Sequence, residues 1–114
     1  MHGPFYSLWE FDVVDATSLL EAVPSVLQTL QQRDGFVAGH VMRSPDESQR
    51  YAVHCTWTDV GSYRRALGSA DAKMVVWPFL ANMIDRPSAF ECLIAADGNS
   101  ITRFESSLGA EDNS

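Results

Sequence analysis

Residues 36–57 read FVAGHVMRSPDESQRYAVHCTW, two runs of apolar and β-branched residues around a polar centre. Phe36–Arg43 and Arg50–Trp57 each have the composition of a strand. Between them Ser44-Pro45-Asp46-Glu47-Ser48-Gln49 supplies the turn residues of a hairpin loop. The two strands should therefore be antiparallel neighbours, and a register centred on Glu47 sets His40 beside His54.

Upstream of this hairpin, Asp34-Gly35 is a helix stop. The helix it ends begins near Ser18-Leu19-Leu20-Glu21, which has capping-box spacing, and presents Leu20, Val23, Leu27 and Leu30 at helical intervals up to Arg33. Pro24 lies inside it and either kinks it or marks its first turn. Before the helix, Phe5 to Val13 reads as a strand with Ser7, Trp9, Phe11 and Val13 on one face and Tyr6, Leu8, Glu10 and Asp12 on the other.

Downstream, Thr58 or Asp59 is placed to cap a second helix presenting Val60, Tyr63 and Leu67, with Arg64 and Arg65 turned to solvent. Gly68-Ser69 interrupts it. A short helix with Asp71 in its first turn then carries Met74, Val75 and Trp77, and Pro78 ends it or opens a further turn through Phe79, Leu80, Met83 and Ile84. After Asp85-Arg86-Pro87, Ser88–Ala95 alternates Phe90, Cys92 and Ile94 against Ala89, Glu91 and Leu93, the pattern of a strand. From residue 97 the composition turns polar. Ile101–Phe104 is the one segment there suited to a short edge strand, and Glu105–Ser114 is expected to be disordered. The folded domain is thus 1–96, followed by a tail, 97–114.

The order strand, helix, strand, strand, helical region, strand is the ferredoxin-like split βαβ plan: an α+β fold in which a four-stranded antiparallel sheet carries helices on one face. With 114 residues, 46% hydrophobic and 11% aromatic, the chain is one domain with enough apolar side chains for a real core. The sheet face away from the helices is itself apolar in part, which predicts burial against a second copy. A homodimer is expected. Fifteen acidic against eight basic residues give a net charge of −7, which argues against a nucleic-acid partner or an anionic membrane surface. No run approaches the roughly 18 apolar residues of a membrane span, and no secretory signal is visible at Met1-His2-Gly3-Pro4, so a cytoplasmic location is expected. Cys55 and Cys92 sit in apolar runs and read as small buried hydrophobes; with three histidines and no HxH or HxxxH pair, no metal site is expected.

Arg33-Asp34-Gly35-Phe36-Val37, the strand Arg50–Trp57 closing on a tryptophan followed by Thr58-Asp59, and Ser88-Ala89-Phe90-Glu91 together resemble the antibiotic biosynthesis monooxygenase family of the dimeric α+β barrel superfamily. The resemblance covers roughly residues 5–96. It implies a pocket between sheet and helices lined by Ser7, Trp9, Leu27, Val53, Cys55, Tyr63, Leu67, Met74 and Trp77. Heme-degrading relatives place an asparagine, a tryptophan and an iron-binding histidine at positions that fall here on Ser7, Ala66 and Val75, so heme degradation is disfavoured. What the resemblance then implies is oxidation of a small aromatic, quinol or anthrone-like molecule without any cofactor. The alternative is a dimeric ligand-binding or accessory protein without turnover. Tyr63 and His40 are the expected catalytic residues, one as hydrogen-bond donor and the other as base. Ser7, Trp9, Cys55, Met74 and Trp77 are the expected substrate-binding residues.

Overall fold

The computed structural model describes residues 1–108. Strands β1 (Phe5–Asp12), β2 (Phe36–Arg43), β3 (Arg50–Trp57) and β4 (Ala89–Glu91) form one antiparallel sheet in the order β2-β3-β1-β4. Helices α1 (Thr17–Gln31), α2 (Val60–Leu67) and α3 (Ala70–Leu80) cover one face. The expected α+β architecture is present. The hairpin register is also the expected one, with His40 opposite His54 and a bulge between Phe36 and Ala38.

Period-two alternation decides which side of the sheet becomes core. Phe5, Ser7, Trp9 and Phe11 of β1 point to the helices together with Val53, Cys55 and Trp57 of β3, all buried. Onto them pack Val23, Val26 and Leu30 of α1, Ala66 of α2, and Ala72 and Val76 of α3. Each large apolar side chain so enclosed contributes about 1.5–3 kcal/mol.

Several boundaries differ from the sequence reading. Helix α1 begins at Thr17, and its N-cap is Ala16, which makes no side-chain cap; Asp15 Oδ1 instead accepts from the Thr17 N–H at 3.0 Å. The buried stripe is rotated accordingly, leaving Leu20 exposed. Pro24 sits on the solvent side of an unbroken helix. Helix α3 likewise runs through Pro78 as one element. Because α3 is apolar on almost every side, periodicity could not choose its inner face; the helix buries Ala72 and Val76, one turn apart, and Met74 and Trp77 end outside.

The expected strand 88–95 is two pieces. β4 pairs with β1, whereas β5 (Ile94–Ala96) pairs with β6 (Ile101–Arg103) in a separate two-stranded sheet. Asp97 Oδ1 accepts from the Asn99 and Ser100 amides and fixes the turn between them. Cys92, between the two pieces, is partly exposed. This hairpin lies against the N-terminus: Phe104 packs on Gly3, where an added Cβ would stand 2.6 Å from the ring, and Glu105 bridges to His2. Ser106 and Ser107 hydrogen-bond Glu91. The remainder of the segment expected to be disordered, 109–114, lies outside the described residues.

Gly35 joins α1 to β2 at φ +89°, and a Cβ there would run into the Ser62 side chain. Its carbonyl accepts from the Thr58 amide at 2.8 Å, tying the α1–β2 turn to the start of α2. Gly35→Ala is expected to destabilise the fold by about 1–3 kcal/mol. An unchanged urea midpoint would refute the role given to this turn.

Candidate functional site

The side chains with both a polar tip and a buried body converge under α2. Ser7 faces Cys55 across the β1–β3 ladder, flanked by the pairs Phe5–Trp57 and Trp9–Val53. The helix α2 starts at Asp59, whose carboxylate accepts from the Ser62 amide at 2.7 Å, and this cap sets the rotation that brings Tyr63 over the sheet. The Tyr63 ring lies 5.1 Å from that of Phe5 and 6.1 Å from that of Trp57. Trp9 lies close enough to Tyr63 to act on its phenol.

Two polar atoms in this closely packed cluster, called the chamber below for the space a ligand would open there, lack a partner. Ser7 Oγ and Trp57 Nε1 are both enclosed without a hydrogen bond of acceptable geometry, although Ser7 lies beside the Cys55 thiol. An unpaired buried donor costs about 1–3 kcal/mol and calls for a water or ligand atom to satisfy it. Burial raises the Cys55 thiol to about 11, with Ser7 acting weakly in the other direction. Burial also raises the Tyr63 phenol, aided by the neighbouring Cys55 and opposed by Trp9. At neutral pH the chamber therefore presents hydrogen-bond donors and a closed thiol. It offers no thiolate.

Ser7, Trp9, Cys55 and Tyr63 are thus brought together as expected. Met74 and Trp77 are not: Met74 is 76% exposed on the outer side of α3, and the Trp77 indole N–H donates to the Leu67 carbonyl at 2.8 Å, fastening α3 to the end of α2 at the surface. His40 is also elsewhere. It stands exposed on the sheet face opposite Tyr63, beside His54. Trp57 is the residue missed as a site candidate. Its parity with Cys55 placed it on the same face, but only the structure shows its indole N–H unpaired. Among the described residues no group of three or more His, Cys, Asp or Glu side chains is arranged to hold a metal.

A separate cleft of about 210 Å³ opens between the end of β1, the start of α1 and the end of α3, lined mainly by Phe11, Val13, Leu19, Ala22, Pro78 and Phe79. Phe11 follows Trp9 on the inner face of β1, and the fully buried Trp9 stands between this cleft and the Ser7–Cys55 pair.

No family model and no curated protein matches the sequence. Solved structures do match the fold. SnoaB, a cofactor-independent oxygenase from Streptomyces nogalater, aligns with a TM-score of 0.70 at 18% identity, over 86% of this chain and 99% of that one. A Deinococcus radiodurans protein described as a candidate antibiotic biosynthesis monooxygenase aligns at 0.67 and 15% identity, over 82% and 96%. A conserved protein from Methanosarcina mazei aligns at 0.64 and 14%, over 91% and 95%. The chain has the fold of the antibiotic biosynthesis monooxygenases. Between the sheet and α2 the side chains packed together are Ser7, Trp9, Cys55, Trp57 and Tyr63, three of them aromatic. At such identities the likeness establishes the fold, and the chemistry rests on the side chains.

Proposed function

We propose that this protein is a cofactor-independent monooxygenase that oxidises a small aromatic, quinol or anthrone-like substrate as a homodimer. The observation that carries this reading is the pair of buried unpaired donors, Ser7 and Trp57, grouped with the half-buried, protonated Tyr63 among aromatic rings. Donors so grouped would stabilise an oxyanion on a planar substrate that opened the packing between them, and the surrounding rings would exclude water. The fold shared with a structure described as a cofactor-independent oxygenase supports it. In this chemistry the ionised substrate gives its electrons to dioxygen; one oxygen atom becomes the new carbonyl of the product and the other leaves as water. The protein positions the substrate and holds the developing oxyanion. Two free cysteines fit a reducing compartment such as the cytoplasm, and no helix among the described residues is long and apolar enough to cross a membrane.

The cleft beside Phe11 is the proposed way in. Its volume exceeds the roughly 150 Å³ that admits a benzene ring. A second reading, a binding protein without turnover, draws on the close packing of the chamber, where Ser7, Cys55 and Trp57 are all fully buried. Oxygen uptake with an anthrone, in the presence of a chelator and without flavin, separates the two. One oxygen consumed per substrate oxidised is the expected result. No uptake above the uncatalysed rate on anthrones and quinols, with a small molecule retained in native mass spectrometry, would replace the oxygenase by the binding protein.

A further inference from the structure

Across the sheet face opposite the helices, three rings stand in a row on three strands. Tyr6 of β1 stacks on His54 of β3 at 5.4 Å and 16°, and His54 lies 6.3 Å and 25° from His40 of β2. Half-buried Leu8 and Ala52 and the exposed Met42 and Phe90 share this face. Most of its charges compensate one another: Glu10 takes Arg50 at 3.3 Å and Arg86 at 3.0 Å, and Arg50 also reaches Glu47 at 3.2 Å, while Asp12 at the end of β1 has no ion-pair partner among the described residues. On a chain of net charge −7, a face whose centre is aromatic and apolar and on which Glu10, Arg50, Arg86 and Glu47 pair among themselves is suited to its own image across a twofold axis.

We propose that this face is a proton-gated self-association surface, which seats a second copy while the imidazoles of His40 and His54 are neutral and releases it when they become charged. The proposal rests on the homodimer reading above. The groups that face the histidines are Tyr6 from β1 and each other from β2 and β3; from β4 only Phe90 approaches, opposite Tyr6. Glu10 and Arg50, further along the same face, are committed to each other and to Arg86 and Glu47, and Asp12 stands beyond them at the end of β1, opposite Arg50. Among the described residues no carboxylate pairs with either imidazole, so a proton gained there meets no counter-charge. Burial already lowers the pKa of His54, and the adjacent His40 lowers it further. A second copy laid over the face removes more water and adds two further imidazoles, which strengthens both effects.

The sign follows from linkage. Imidazoles that hold protons less well in the dimer than in the separated chains give a dimer complete above their free pKa and weakened as pH falls. Bulk charge predicts the reverse, because protonation reduces the repulsion between two chains of net charge −7 as the pI near 4.7 is approached. The direction of the effect therefore decides between them.

Sedimentation equilibrium of the full chain at about pH 7.5 and about pH 5.5 tests the proposal, with circular dichroism to confirm that the fold is kept at both. The dimer dissociation constant is expected to rise at least about tenfold at the lower pH, since each histidine contributes up to tenfold per unit of pKa difference. In H40Q and H54Q the dimer should persist and most of this pH dependence should vanish. A constant or falling dissociation constant in the parent protein overturns the gate and leaves the homodimer standing, as does a pH dependence that survives in the double variant. A monomer at micromolar concentration at pH 7.5 overturns the homodimer and the gate together.

Discussion

Replacing Tyr63 with phenylalanine is expected to slow turnover of an anthrone or quinol by about ten- to a hundredfold while leaving the fold intact. The ring keeps its contacts with Phe5 at 5.1 Å and with Trp57 at 6.1 Å, so only the hydroxyl is removed. Burial raises the pKa of that hydroxyl, so near neutral pH it is a protonated donor. A hydrogen bond to a charged oxygen is worth about 1.5–3 kcal/mol, which converts to the stated range in rate. Because negative charge on the substrate oxygen grows toward the transition state, the loss should fall on kcat more than on KM. Trp77→Phe is the comparison. It removes the indole N–H held by the Leu67 carbonyl at the surface and should lower stability by about 0.5–1.5 kcal/mol with little effect on kcat. An unchanged kcat in Tyr63→Phe, or an equal loss in both variants, would take the donor role away from Tyr63.

The sheet was legible because its signals are local and repeated. Alternation in Phe5–Asp12 gives parity and sets Ser7 on one face with Trp9 and Phe11, and a polar turn centred on Glu47 gives the hairpin register that sets His40 beside His54; the pairing of Ser7 with Cys55 comes from the β1–β3 ladder, which no local signal registers. Helical rotation was harder to read. In α3 nearly every position from Met74 to Leu80 is apolar, and the choice of Val76 over Met74 or Trp77 as the inward residue is made by tertiary packing, which buries Ala72 on the same face. Pro78 suggested a break that the exposed side of α3 tolerates without one. The split of 88–95 was hidden for a related reason. An alternating run has the same pattern whether it continues along β1 or leaves to pair with Ile101–Arg103, and the partner is set by the turn at Asp97. Trp57 shows the limit for the site itself. Sequence parity places its indole among the core residues, but whether the N–H finds an acceptor is a property of the assembled chamber.

The absence of His40 from the chamber changes the expected pH dependence of the reaction. A histidine base would make kcat/KM rise through the imidazole pKa and level off near about pH 7. The groups that do stand in the chamber behave otherwise: the Cys55 thiol is held to about 11 by burial, and the Tyr63 phenol is raised as well. Neither removes a proton from the substrate at neutral pH. The substrate must therefore be taken as its own anion, and kcat/KM should climb about tenfold per pH unit below the substrate's ionisation. For an anthrone ionising above about pH 9, that is about a hundredfold between pH 6.5 and 8.5. At higher pH the climb should end in a fall once Tyr63 itself ionises, because a phenolate no longer donates to the oxyanion. Measurement above about pH 6.5 and at high protein concentration keeps the proposed dissociation of the dimer out of the profile. A plateau beginning near pH 7 would show that an imidazole reaches the substrate after all, and H40Q and H54Q would then identify which one.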